Sequence, residues 1–112
     1  MTLPVRAVTP EFYVAPQLGP ADMAAAAAMG FKTVINNRPD FEGGADQPAH
    51  AAMQAAAQAA GLDYVFLPVV AGAITTDEVA TMKQALAAAQ APVLAFCRSG
   101  ARSTQLFVFT QD

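Results

Sequence analysis

Cys97 is the chain's single cysteine, and Arg102 follows it after Arg98, Ser99, Gly100 and Ala101. A thiol is mostly protonated at neutral pH, so a nucleophilic cysteine needs neighbours that favour the thiolate. The apolar run Pro92-Val93-Leu94-Ala95-Phe96 before it reads as a buried strand. Ser103-Thr104-Gln105-Leu106-Phe107 after it reads as the start of a helix whose free N–H groups point back at the loop. Those N–H groups and the Arg102 guanidinium would hold a thiolate, and equally a phosphate, sulfate or thiosulfate. Gly100 allows the turn that makes successive N–H groups converge, and Arg102 supplies a planar fork that lysine lacks. A hydroxyl at Ser103 or Thr104 could donate to the sulfur, and Ser99 adds another hydroxyl. A lone cysteine is more commonly an inert, buried small hydrophobe. What sets Cys97 apart is the order of strand, Cys, Gly, Arg and hydroxyl-rich helix start.

The elements that must position this loop alternate along the chain. Phe12-Tyr13-Val14 reads as a short strand, followed by a helix from Pro20 to Met29 that Gly30 caps. Lys32 to Asn36 is a second strand. The stretch from Asn37 to Pro48 is dense in turn residues and too long for a simple connection, which marks it as a functional loop. Ala49 to Ala60 is a second helix, Leu62 to Val69 a strand, and Thr75 with Glu78 a capping box for a third helix ending near Gln90. The pattern βαβαβαβα implies an α/β fold with a mainly parallel sheet of four to five strands flanked by helices.

The 112 residues and an apolar fraction of 54% suit one domain over 1–112. The alanine-rich helices leave few large side chains for the core, so a homodimer formed through an apolar face is compatible with the chain. Net charge −3 argues against a nucleic-acid partner. No apolar run is long enough to span a membrane, and Met1 to Val14 lacks the pattern of a signal peptide, so cytoplasmic residence is expected. One cysteine and one histidine leave too few ligands for zinc, and no cofactor is expected. His50 reads as an exposed residue in the first turn of the second helix.

Phe96-Cys97-Arg98-Ser99-Gly100-Ala101-Arg102-Ser103, with Val34-Ile35-Asn36-Asn37-Arg38-Pro39-Asp40 and Leu67-Pro68-Val69, resembles the beta-lactamase-hydrolase-like phosphatase family. That family is a branch of the protein tyrosine and dual-specificity phosphatase superfamily. The resemblance implies a phosphatase-like fold, with Cys97 as nucleophile, Arg102 as phosphate clamp and a small anionic compound or a phosphoprotein as substrate. Arg98, Ser99, Gly100, Ala101 and Ser103 then line the substrate site. Arg38 either extends it or pairs with Glu42 or Asp46 in water.

Two departures keep alternatives open. Such phosphatases usually place five residues between Cys and Arg, whereas four stand here, the gap found in rhodanese-type sulfurtransferases. The general-acid Asp common after the strand that ends near Val69 is also missing, since Val69-Val70-Ala71-Gly72-Ala73 occupies that place. Asp40, with Asp46 second, is the candidate acid, against the alternative of an Asp that hydrogen-bonds its own turn. The readings are therefore phosphate-ester hydrolysis through a cysteinyl-phosphate, sulfur transfer through a Cys97 persulfide, and a non-catalytic anion-binding module.

Overall fold

The structure, a computed structural model, describes residues 3–111. Five strands form one sheet: β1 (Arg6–Thr9), β2 (Phe12–Ala15), β3 (Thr33–Asn36), β4 (Asp63–Phe66) and β5 (Val93–Phe96), in the order β1-β2-β5-β3-β4. β1 is antiparallel to β2, and every other pairing is parallel. Four helices complete the fold: α1 (Asp22–Ala28), α2 (His50–Ala59), α3 (Thr76–Ala88) and α4 (Ala101–Phe109).

β3 and β5 are buried along their whole length, because alternate side chains feed two separate cores. Val34, Leu94 and Phe96 pack with Met23, Ala26, Met53 and Ala57 of α1 and α2. Ile35, Val93 and Ala95 pack with Met82, Leu106 and Phe107 of α3 and α4. Small residues on α1 and α2 let these helices lie close to the sheet, at the density a well-packed interior requires. The α3 start carries both halves of the expected capping box, with Thr75 Oγ1 accepting from Glu78 N at 3.1 Å and Glu78 Oε1 accepting from Thr75 N at 2.9 Å. Among the described residues no helix is long and apolar enough to cross a membrane.

The middle strand β5 leads into α4 on one face of the sheet, whereas its neighbours β2 and β3 lead into α1 and α2 on the other. Loops diverge at such a reversal and leave a crevice beyond the carboxyl ends of the strands. Cys97 is the first residue past that end.

β1 was not expected from the sequence. As an edge strand it contributes little to either core, so the hydrophobic alternation that announces β3 and β5 is weak here. Its hairpin is closed by Thr9, whose hydroxyl accepts from Glu11 N at 3.2 Å and Phe12 N at 3.0 Å. Because β1 is antiparallel and Arg6 pairs with Val14, the first residue of β1 lies toward the carboxyl edge of the parallel strands.

Candidate active site

The loop begins where Phe96 ends β5. Cys97 N–H donates to Ala15 O at 3.4 Å and Gln17 N–H to Arg98 O at 3.3 Å, tying the loop to the end of β2. Gly100 has φ +92, a conformation that costs an L side chain, and a Cβ there would lie 3.4 Å from Ala15 O. This turn brings Gly100 N–H to 3.1 Å from Cys97 Sγ. It also starts α4 at Ala101, two residues earlier than expected. Ser99 Oγ supports the turn by accepting from Ala101 N at 3.3 Å.

Burial of Cys97 pushes its thiol pKa up, but the Ser103 backbone N–H and hydroxyl and the N–H groups of Ser99 and Gly100 outweigh it, so the net direction is down. The Ser103 hydroxyl has two claimants for one proton. It donates to Asn37 Oδ1 at 2.8 Å, and the same hydroxyl is in reach of the sulfur. Charge decides between them: a neutral thiol is a weak acceptor and leaves the proton on Asn37, whereas a thiolate draws it away. The backbone N–H groups are thus the constant support, and the hydroxyl acts when the sulfur is charged. Asn37 is fully buried and its amide donates to Leu67 O at 2.9 Å, which orients its oxygen toward Ser103. Thr104, the other candidate hydroxyl, donates to Gly100 O at 2.9 Å and braces the helix start instead.

Arg102 is held from outside. Nη1 donates to Val69 O at 3.0 Å and Glu42 Oε2 at 2.9 Å, and Nη2 donates to Glu42 Oε1 at 3.0 Å. Its Nε is buried and has no hydrogen-bond partner in the structure. Such a donor is costly to leave unpaired, which makes it a natural contact for a bound anion. Glu42 also accepts from Arg38 Nε at 2.8 Å, and the Arg102 hydrogen bonds, aided by Arg38 and both positive charges, hold its carboxyl below the usual range against the opposing effect of burial. Arg38 itself is buried, donates to Gln17 Oε1 at 3.0 Å, and leaves so little room that a Cβ on Gly43 would meet its Nη2 at 2.8 Å. Arg38 is thus the buried partner of a Glu42 carboxylate that stays partly exposed, and the pair brackets Arg102.

Delivering Glu42 involves strain. Phe41 adopts φ 67 and is 82% exposed, a conformation that costs a bulky residue roughly 1–3 kcal/mol and persists where surrounding contacts enforce it.

Neither candidate acid, Asp40 or Asp46, is among the residues that line the cysteine cavity. Asp40 Oδ1 accepts from His50 N at 2.8 Å, so the carboxylate satisfies a free N–H at the start of α2. Asp46 lies in the exposed turn Gly44–Asp46. His50 opens α2 as expected, but its ring is stacked on Phe66 at 3.9 Å rather than solvated. A cavity of about 620 Å³ contains Cys97, Arg98, Ser99, Ala101 and Arg102, and among the described residues no carboxylate lines it. An adjoining cavity of about 570 Å³ shares Arg98 and Arg102 and is bordered by Arg38 and Glu42. Of the expected set, the Cys97-to-Ser103 residues converge, Arg38 stands one layer behind, and Asp40 is bonded to the start of α2. Sequence reasoning missed Arg6, Asn37 and the hold of Glu42 on Arg102. A four-residue step from Arg38 to Glu42 was the one local hint.

A mostly parallel sheet with a cysteine loop and a buried arginine past its central strand defines a phosphatase-type α/β domain. Residues 4–112 match the family described as beta-lactamase hydrolase-like protein, phosphatase-like domain, and the chain belongs to it. It is 42% identical over 88 residues to a beta-lactamase hydrolase-like protein of Agrobacterium fabrum, covering 79% of this chain and 20% of that protein. The chain thus spans about a fifth of the length of the curated relatives it matches. A solved phosphatase candidate from Neisseria meningitidis superposes with TM-score 0.85 at 36% identity, covering 95% of this chain and 75% of that one. The core catalytic domain of the PP-IP phosphatase SIW14 from S. cerevisiae shares the fold, with TM-score 0.65, 14% identity, and 88% and 59% of the two chains covered.

Proposed function

We propose that this domain is a cysteine-dependent phosphatase. The observation that carries the reading is convergence: a thiol surrounded by N–H donors and an unpartnered, buried Arg102 Nε in the first turn of α4 border one cavity that, among the described residues, no carboxylate lines. The Cys97 thiolate attacks phosphorus while Arg102 and the loop N–H groups neutralise the phosphoryl oxygens, and the P–O bond to the leaving group breaks. Water then attacks the cysteinyl-phosphate, releasing inorganic phosphate and returning the electron pair to sulfur. The Ser103 hydroxyl swings from Asn37 to the departing thiolate. With no carboxylate among the described residues that line this cavity, leaving groups that need little protonation, such as aryl esters and phosphoanhydrides, are the favoured substrates.

A specific observation favours a second reading. The four-residue gap and the acid-free cavity also suit sulfur transfer, in which the thiolate attacks the outer sulfur of thiosulfate, the S–S bond breaks, sulfite leaves, and Cys97 keeps a persulfide. Intact-protein mass spectrometry after brief exposure to an aryl phosphate and, separately, to thiosulfate tests both. A phosphoryl adduct absent from Cys97→Ser supports hydrolysis; an added sulfur atom replaces it with sulfur transfer; neither adduct removes both.

A further inference from the structure

We propose, building on the phosphatase reading, that the natural substrate is a small molecule with two phosphate groups, the second held by Arg6 and Arg98 while the first reacts at Cys97. Four arginines gather at this edge of the sheet, and their charges are not equally compensated. Arg38 and Arg102 share the Glu42 carboxylate. Arg6 and Arg98 are exposed and have no ion pair among the described residues, yet both line the Cys97 cavity. A surplus of positive charge therefore borders one cavity of a chain whose total is −3. Such clustering raises self-repulsion and concentrates anions locally.

The placement of Arg6 is a product of topology. The hairpin carries it to the carboxyl edge, and its Nη2 lies 3.7 Å from where a Gly100 Cβ would stand, beside the thiolate loop. Arg102 and the loop N–H groups already suffice for one phosphoryl group, so Arg6 and Arg98 are surplus to a monophosphate. The cavity of about 620 Å³ is in the range of roughly 300–1,000 Å³ that accommodates a whole small molecule rather than one anion. Binding energy from a non-reacting second phosphate would position the first for attack.

The test is calorimetric titration of Cys97→Ser with propyl phosphate and with 1,3-propanediol bisphosphate at fixed ionic strength. The expected result is that the bisphosphate binds about tenfold more tightly, and that this ratio falls toward one in Cys97→Ser carrying Arg6→Gln and Arg98→Gln. Lys32→Gln, which removes one charge just before β3 at the opposite edge, should keep the ratio. Equal binding of the two ligands, or a ratio that survives loss of both arginines, overturns the proposal. Because the measurement needs no turnover, it separates from the parent reading. A high ratio with no phosphoryl adduct on Cys97 keeps the two-anion site and discards hydrolysis, whereas an adduct with a ratio of one does the reverse.

Discussion

The loop after β5 and the loop after β3 meet at Arg102, yet they are built differently. In the first, Cys97 to Gly100, the groups that hold the sulfur lie within six residues of it: Ser99, Gly100 and Ser103. Their positions follow from one left-handed glycine and the start of one helix. In the second, running from 37 to 49, Glu42 reaches an arginine sixty residues away, next to a Phe41 of positive φ and a Gly43 that lies against the Arg38 guanidinium. The nucleophile is thus made locally, while Arg102 is aimed by a distant part of the chain. If so, damage to the short loop should alter sulfur chemistry, and damage to the long one should alter Arg102 geometry and acid stability.

The largest effect is expected at the place where the loops meet. Arg102→Lys should lower kcat/KM for an aryl phosphate by about a hundredfold, because a point charge cannot hold both Glu42 and the substrate; Arg98→Lys, which keeps the charge at an exposed site, should cost far less. Similar losses in the two variants would mean that the clamp is misassigned.

Glu42→Gln should reduce kcat/KM by roughly tenfold while leaving thiol alkylation intact, which separates aiming from nucleophile activation. Its pH signature has a defined sign. Since the folded carboxyl lies below its unfolded value of about 4.3, its stabilisation is fully present above that pH and is lost as pH falls through the lower folded value. Thermal melts across the acid range should therefore show a shallower decline in the Gln variant.

Ser103→Ala should move the midpoint of iodoacetamide alkylation upward and slow dephosphorylation of the cysteinyl-phosphate about tenfold, since the departing thiolate loses its switchable donor. An unmoved midpoint would leave the backbone N–H groups as the sole support. The smallest kinetic effect belongs to Asp40→Ala, which should cost about 1 kcal/mol of stability through the lost bond to His50 N. The ratio of rates for good and poor leaving groups should stay constant. Selective slowing of poor leaving groups would assign the acid role to Asp40.

The parts whose causes are short-range were legible along the chain. Apolar runs at Val34-Ile35 and Val93 to Phe96 specified strands buried on both faces, and a glycine and an arginine at set distances from Cys97 specified an anion loop. The capping box at Thr75 specified the start of α3. Only the tertiary structure decided which side chains, free by local chemistry to do several things, do which. Asp40 follows a proline and could cap a turn or serve the site, and the approach of α2 claimed it. Ser103 and Thr104 are equivalent as hydroxyls beside Cys97 in sequence, and the turn of α4 sent one toward Asn37 and the sulfur and the other back to Gly100 O. Arg6 has no local mark at all and owes its position to pairing in an antiparallel edge strand. A propensity or a cap is settled by neighbours along the chain, whereas a side-chain partner is settled by which distant backbone arrives beside it.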